Sequence, residues 1–464
     1  MTSTNAVSEH SEAAVASQVS DLVAARGWYT LAFMVAVTMF AFVDRQILTL
    51  AAAPLAQSLE LSNSQLGAVQ GLAFALFGLI AVYPIAWIAD RLDRRVILAA
   101  CIIVWSLGTA ACGLAQNYEQ LFIAAVCIAA GEAGLSPILL STIPDLFSGR
   151  MRALANSLFY FFSILGVSLG LMLGGLAIGA LDAVHHDLSP WLRQFESWRL
   201  AFFAVALPAP LFLIMLAFAR IRRPTIQTGT VKASQPTAYF PFLQKHWRPI
   251  LSIFASLGLY TAAFSGYVIW LPVAMARLFQ VTPAQNGYGM GVALSAGMLA
   301  GVTAGTVLMR RYSTIWGKVA PLRLSWIVMT IMTPVVMAFP FIQASWQGYA
   351  LIGVMMLAGS IAGSLIPNIL QDMAPGPLRT RFMAIYMILQ TLLGGAAPAF
   401  VGWVSDLINA ESPILTAITM VSLPAMICAS LLLRKSERAF QSLTVTVAEL
   451  EADLSIAHQL SSKA

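Results

Sequence analysis

The stretch LGAVQGLAFALFGLIAVYPIAWIADRLDRR, residues 66–95, decides the fold. From Leu66 to Ile88 it carries no charge, and at about 1.5 Å rise per residue such a run crosses a hydrocarbon core of about 30 Å as one helix. It then ends in Asp90-Arg91-Leu92-Asp93-Arg94-Arg95, a cluster that has to stay in water. The apolar residues run on without alternating, which excludes a β-barrel strand.

The rest of the chain repeats this pattern. Of the 464 residues 59% are hydrophobic and 10% charged, and the mean hydropathy is +0.80, more apolar surface than a soluble protein can hide from water. The first half reads as six spans: Trp28 to Leu50, Leu66 to Ile88, Val96 to Ala115, Leu121 to Leu140, Ala153 to Leu181 and Leu200 to Ala219. The second half reads as six more: Pro249 to Leu271, Gly287 to Met309, Lys318 to Ile342, Trp346 to Leu370, Phe382 to Val404 and Pro413 to Leu433. The expected fold is an all-α polytopic membrane protein of twelve transmembrane helices in two six-helix bundles. Residues 1–27 form a tail, 28–219 the first bundle, 220–248 a linker ending in an interfacial segment, 249–433 the second bundle and 434–464 a second tail, expected to be an amphipathic helix with an apolar stripe of Leu443, Val447, Leu450 and Leu454.

Lysine and arginine set the orientation. They collect after the second, fourth, sixth, eighth, tenth and twelfth spans, for example at Arg91, Arg94, Arg95, Arg150, Arg152, Arg220, Arg222, Arg223, Lys232, Arg310, Arg311, Arg379 and Arg434. The opposite connections hold Arg193, Arg199 and Arg277. Both tails are therefore expected in the cytoplasm, in a multi-pass protein of the cell (inner) membrane. The net charge of +6 reports this topology, so no nucleic-acid partner is expected. No basic-then-apolar leader precedes Arg26, so no cleaved signal peptide is expected.

The halves echo each other. Pro137 to Pro144 followed by Arg150 and Arg152 returns as Pro367 to Pro375 followed by Arg379 and Arg381, and Met309-Arg310 stands where Asp90-Arg91 stands earlier. Repeated halves imply a two-lobed carrier with a site between the lobes. Cys101, Cys112, Cys127 and Cys428 all fall inside spans and read as packing residues. His10, His185, His186, His246 and His458 lie in tails or connections, and no Gly-rich loop ends in Lys-Ser or Lys-Thr. No metal, cofactor or enzymatic activity is expected.

Ala86-Trp-Ile-Ala-Asp90-Arg91-Leu-Asp93-Arg94-Arg95 resembles the loop between helices two and three of the major facilitator superfamily, with Ala86 and Asp93 replacing its two glycines. Phe42-Val-Asp44-Arg45-Gln46, Gly71-Leu-Ala-Phe74-Ala-Leu-Phe77 and Gly131-Glu132-Ala133-Gly134 are similar to the spinster family within it. The resemblance implies a proton-coupled carrier of amphiphiles such as lysophospholipids or sphingoid lipids. It marks Asp44 and Glu132 as the proton-coupling pair and Arg45 as a substrate or gating contact. Several spinster relatives place an arginine on the fourth helix where Ala125 stands here, which leaves Arg45 as the cation deep in the first half.

Physics alone singles out the same residues. A charge at mid-bilayer costs about 2.5 to 3.5 kcal/mol on insertion scales, so Asp44, Arg45 and Glu132 should face a cavity or a partner. Asp44 lies about 24 Å along its helix and Glu132 about 16 Å along an opposed one, depths that let both share one pocket. Two readings follow: the acids exchange protons as the site closes and opens, or Glu132 only hydrogen-bonds backbone or pairs with Arg45. Tyr260, Phe264 and Tyr267 offer an apolar wall opposite these charges. Asp90, Arg91, Arg94, Arg95, Arg150 and Arg152 read as a cytoplasmic gate. The function expected is alternating-access transport of a small amphiphile by a monomer among membrane lipids, driven by protons. A carrier of small organic anions or drugs, or a passive channel or receptor, are the alternatives.

Overall fold

In the computed structural model, residues 3–89, 91–147, 149–219, 221, 239–374, 379–408 and 412–461 are described. Among the described residues, eleven segments are long and apolar enough to span a membrane. One of them, Pro283–Phe341, has 59 residues and is broken at Gly317, whose φ of +57° lies in the left-handed region that favours glycine. Twelve crossings result, as the apolar runs predict.

The spans are α1 (Arg26–Leu50), α2 (Asn63–Ala89), α3 (Arg94–Leu114), α4 (Tyr118–Leu146), α5 (Leu154–Ala183), α6 (Ser197–Phe218), α7 (Gln244–Phe279), α8 (Pro283–Trp316), α9 (Ala320–Ala338), α10 (Ser345–Asp372), α11 (Phe382–Leu407) and α12 (Pro413–Lys435). A last helix, α13 (Glu437–Ser461), follows. An even number of crossings brings both ends to one face, the terminal face; the other is the far face. Asp90 and the linker cations Arg220, Arg222, Arg223 and Lys232 lie outside the described residues, as does the side chain of Arg150.

Local chemistry starts several spans. Ser62 and Gln65 form a capping box at α2, Thr282 and Gln285 another at α8, and Asn117 caps α4. Asp93 accepts a hydrogen bond from the Arg95 backbone at 3.0 Å and caps α3, so the residue that departs from the family pattern has taken over an N-cap. The chain enters α7 through a kink at His246 (φ −117°, ψ 16°), with the preceding residues from Tyr239 already helical.

Within the first bundle α1 packs on α5 and α3 on α4; within the second α7 packs on α11 and α12, and α8 on α10. Two pairs make most of the contact between the bundles, α2 with α11 and α5 with α8, and glycine makes both possible. A Cβ at Gly67 would lie 2.3 Å from the Pro398 carbonyl, one at Gly71 2.4 Å from that of Gly395, and one at Gly287 2.2 Å from that of Leu171. These contacts all sit in the half of the molecule nearer the far face. On the terminal side of α8, Gly297, Gly301 and Gly305 pack instead against α10 of their own bundle.

A polar latch completes the far-face seal. Asp406, at the end of α11, accepts the backbone N–H groups of Asn63 at 3.0 Å and Ser64 at 2.8 Å, two donors at the start of α2 that have no partner within their own helix. Arg277 of α7 donates to the Asn63 side chain at 2.8 Å. The second bundle thereby caps a helix of the first.

The α13 helix buries Phe440, Leu443 and Val447, while Leu450 of the expected apolar stripe is exposed and the Leu454 side chain lies outside the described residues. Glu437 anchors it. Arg323 donates to Oε1 through Nε at 2.9 Å and through Nη2, and Trp326 donates to Oε2 at 3.2 Å. Burial raises the Glu437 carboxyl, but the hydrogen bonds from Arg323 and Trp326 and the charges of Arg323 and Arg434 together outweigh it and hold it below the usual carboxylate range.

Two outcomes are expected. Gly287→Leu should force α5 and α8 apart, seen as a distance between spin labels at Glu60 and Gln280 that lengthens by several ångström. A depressed carboxyl stabilises above the unfolded-state value and loses that contribution as pH falls through the folded one, so α13 docking should be intact at neutral pH and weaken only below about pH 4. Glu437→Gln should cost about 1 kcal/mol at pH 7 and flatten that acid dependence in thermal unfolding.

Candidate functional site

A cavity of about 250 Å³ lies between the bundles, walled by α1, α2, α5 and α7. Its polar side is made by Arg45, Gln46 and Gln70, and its apolar side by Phe74 and Phe264. The Arg45 guanidinium lies 4.6 Å from the centroid of the Phe74 ring. Among the described residues it forms no ion pair within 4 Å, so this deep cation rests on a π face with its hydrogen-bonding edge uncommitted. Gln70 belongs to a π-helical stretch, Ala68–Phe77, inside α2.

Asp44 faces the other way. One residue before Arg45, and so about 100° around the helix, its carboxylate is buried and accepts hydrogen bonds through Oδ2 from Thr109 at 2.6 Å and from the Trp105 indole. Both donors stand on α3. Glycine sets their position, because a Cβ at Gly131 would lie 2.6 Å from the Cβ of Trp105 and 2.8 Å separates a Cβ at Gly108 from the Ile128 backbone. Glu132 follows Gly131 directly and acts electrostatically on both Arg45 and Asp44. Asp44 Oδ1 and Glu132 Oε1 are buried without a hydrogen-bond partner among the described residues. The depth argument from the sequence therefore meets a real neighbourhood, but only Arg45 of the three lines the cavity.

The sequence matches the Major Facilitator Superfamily over residues 34–398, most of the chain. The chain belongs to that superfamily. It is a transport protein and not an enzyme. It is 25% identical over 417 residues to protein spinster homolog 1 of Xenopus laevis, covering 85% of this chain and 76% of that one. It is 24% identical over 396 residues to an MFS-type efflux pump of Mycolicibacterium smegmatis, covering 82% and 85%. A crystal structure of a bacterial homologue of the human lysosomal transporter spinster, inward-facing and unoccupied, superposes with a TM-score of 0.72 at 22% identity, covering 91% of this chain and 98% of that one.

Set in the superfamily fold, the expected aromatic wall divides. Phe264 lines the cavity. Tyr260 and Tyr267 do not: Tyr260 is buried over Gly359 of α10, and Tyr267 packs on Phe339 at 4.3 Å with its hydroxyl donating to the Val336 carbonyl at 3.3 Å. The cavity face of α7 runs Phe264, Ser265, Val268 and Ile269, turned from the aromatic stripe, and nothing in its chemistry announces it.

Three of the arginines expected at the gate, Arg91, Arg94 and Arg95, engage their own bundle. Arg94 pairs with Asp145 at 3.2 Å, Arg95 donates to the Ala219 carbonyl at the end of α6 at 2.7 Å, and the Arg91 guanidinium lies 3.5 Å from the Trp87 ring centroid. Arg152 is exposed, and Asp90 is outside the described residues. Among the described residues this cluster braces α3, α4 and α6 and reaches nothing in the second bundle.

Sequence reasoning missed Gln70 and the Asp406 latch. Gln70 left a signal, as the one amide within the uncharged run from Leu66 to Ile88. Asp406 left none, since its partner is a helix end of the other half. Thr109→Val and Trp105→Phe each remove a donor from a buried carboxylate. Each should lower stability in detergent by about 1 to 3 kcal/mol, measured by thermal unfolding, and Asp44→Asn should make both substitutions cheaper.

Proposed function

We propose that this protein is a proton-coupled secondary transporter that carries an anionic amphiphile by alternating access. The observation that carries this is Arg45: a cation inside the bundle interface, stacked on Phe74, lining a largely apolar cavity, and left unpaired beside two buried carboxyls. An anionic head supplies the charge that Arg45 lacks, and Phe42, Phe74 and Phe264 receive the carbons attached to it. Asp44 and Glu132 take up and release the driving proton at their free oxygens, since two ionised carboxylates this close repel in a low dielectric. Arg45 stabilises the ionised state until substrate claims it.

The distribution of lysine and arginine supports a cell membrane protein with both termini in the cytoplasm. The terminal face is then cytoplasmic, and the far-face seal makes this an inward-facing state, as in the spinster homologue it resembles. In the outward-facing state Arg91, Arg94, Arg95, Arg150 and Arg152, with Asp90, form the cytoplasmic gate. The transporter acts as a monomer within lipid.

One observation favours a second reading. At about 250 Å³ the cavity lies below the usual 300 to 1,000 Å³ of ligand pockets, which suits a small organic anion, or a head group whose tail runs beyond the cavity. Uptake into proteoliposomes under an imposed pH gradient separates the possibilities, with a lysophospholipid, a sphingoid phosphate, a drug-like cation and a short carboxylate as alternative solutes. Amphiphile uptake that saturates and follows the gradient is expected, and exclusive uptake of the short carboxylate would transfer the assignment to the second reading. Glu132→Gln should reduce gradient-driven uptake at least a hundredfold while preserving binding, and an unchanged response to pH in that variant would remove the acid pair from the mechanism.

A further inference from the structure

Gln70 is the polar side chain in the cavity whose state asks for an explanation. It is 3% exposed, it lines the same cavity as Arg45, and neither its amide oxygen nor its amide nitrogen has a hydrogen-bond partner among the described residues. A buried amide left without partners is costly, and native proteins keep very few.

The backbone is arranged around it. Residues Ala68–Phe77 follow π rather than α geometry, a form that concentrates at functional sites. Its wider turn stacks residues four to five apart. Gly67, Gly71 and Ala75 therefore stay against Pro398 and Gly395 of α11, while Gln70 and Phe74 are presented together to the cavity. The neighbouring Ser265 hydroxyl is already committed, donating to the Gly394 carbonyl at 2.7 Å. Gln70 thus lines the same cavity as Arg45, where one ligand can meet both.

Its chemistry restricts that ligand. A bare carboxylate or phosphate pairs with Arg45 and accepts from Gln70 Nε2, but offers nothing to Gln70 Oε1. A hydroxyl or an amide beside the anion both donates and accepts, and satisfies both ends of the side chain. We propose that Gln70 is a specificity-determining residue that selects anions carrying a hydroxyl or amide group next to the charge. This rests on Arg45 being the anion site proposed above.

The test compares ligands that differ only in that group. The full-length chain in detergent is titrated with a 2-hydroxyalkyl phosphate and with the alkyl phosphate of equal chain length, each below its micelle concentration, and tryptophan fluorescence is followed. Lactate and propanoate form a tail-free second pair. The wild type should bind the hydroxylated member of a pair about tenfold more tightly. Gln70→Leu should abolish the preference by weakening the hydroxylated member alone, whereas Arg45→Gln should weaken both. Gln70→Met, closer in shape, should behave as Gln70→Leu does and replaces it if that variant does not fold.

A wild type with no preference in either pair, or a Gln70 variant that weakens both members equally, overturns the assignment. Binding of the tail-free pair alone, with the preference present and lost in the variant, upholds Gln70 while overturning the amphiphile.

Discussion

Direct backbone contact between the two bundles is the constraint on which the rest of the molecule depends. At Gly67, Gly71 and Gly287 the carbonyls of the opposite bundle occupy the space a side chain would need, so the helices touch without any layer between them. Lipid tails are as apolar as leucine and give helices no hydrophobic reason to associate, so close packing has to do it. Among the described residues these close approaches lie toward the far face. The same α8 helix that meets α5 through Gly287 and Gly291 turns its other glycines, Gly297, Gly301 and Gly305, to α10 within its bundle. Bundles held together by backbone contact toward one face suit the rocking motion that the proposed cycle requires.

The latch at Asp406 fits that design. Helix-start N–H groups must find partners, and at α2 two of them find a carboxylate on the other bundle. When the far face opens, water can replace Asp406, because these groups lie at the surface. The interaction therefore biases the closed arrangement without trapping it, as an exposed charge-assisted contact of modest strength should.

Much of this was legible in the sequence because lipid forces a simple grammar on the chain. Uninterrupted apolar runs have to be helices, and the twelve runs read from composition correspond to the twelve long apolar helices α1 to α12. The depth of Asp44 and Glu132 was legible for the same reason, since rise per residue fixes height in a straight helix. Azimuth was not. Asp44 and Arg45 are adjacent in sequence yet face α3 and the cavity respectively, and Tyr260 and Tyr267 share a helical stripe with Phe264 while packing away from the cavity. Which side of a helix meets which neighbour depends on glycines such as Gly131 and Gly359, whose partners come from other helices. The π stretch in α2 shifts register again, and no residue type in Ala68–Phe77 marks it.

That azimuthal split between positions 44 and 45 bears on how the proton coupling proposed above would work. Were Asp44 and Arg45 on one face, they would form a salt bridge, and each would satisfy the other in every state; neither proton nor anion would then be needed. Placed about 100° apart, they belong to different neighbourhoods of the same rigid helix, the acid among α3 donors and the cation in the cavity. Glu132 lies within electrostatic range of both. A proton arriving at the acids changes the field at Arg45, and an anion arriving at Arg45 changes the field at the acids, by the same amount in each direction because linkage is reciprocal. Coupling in the proposed cycle requires no moving contact between the two sites, only that α1 carries both and that Glu132 interacts electrostatically with each.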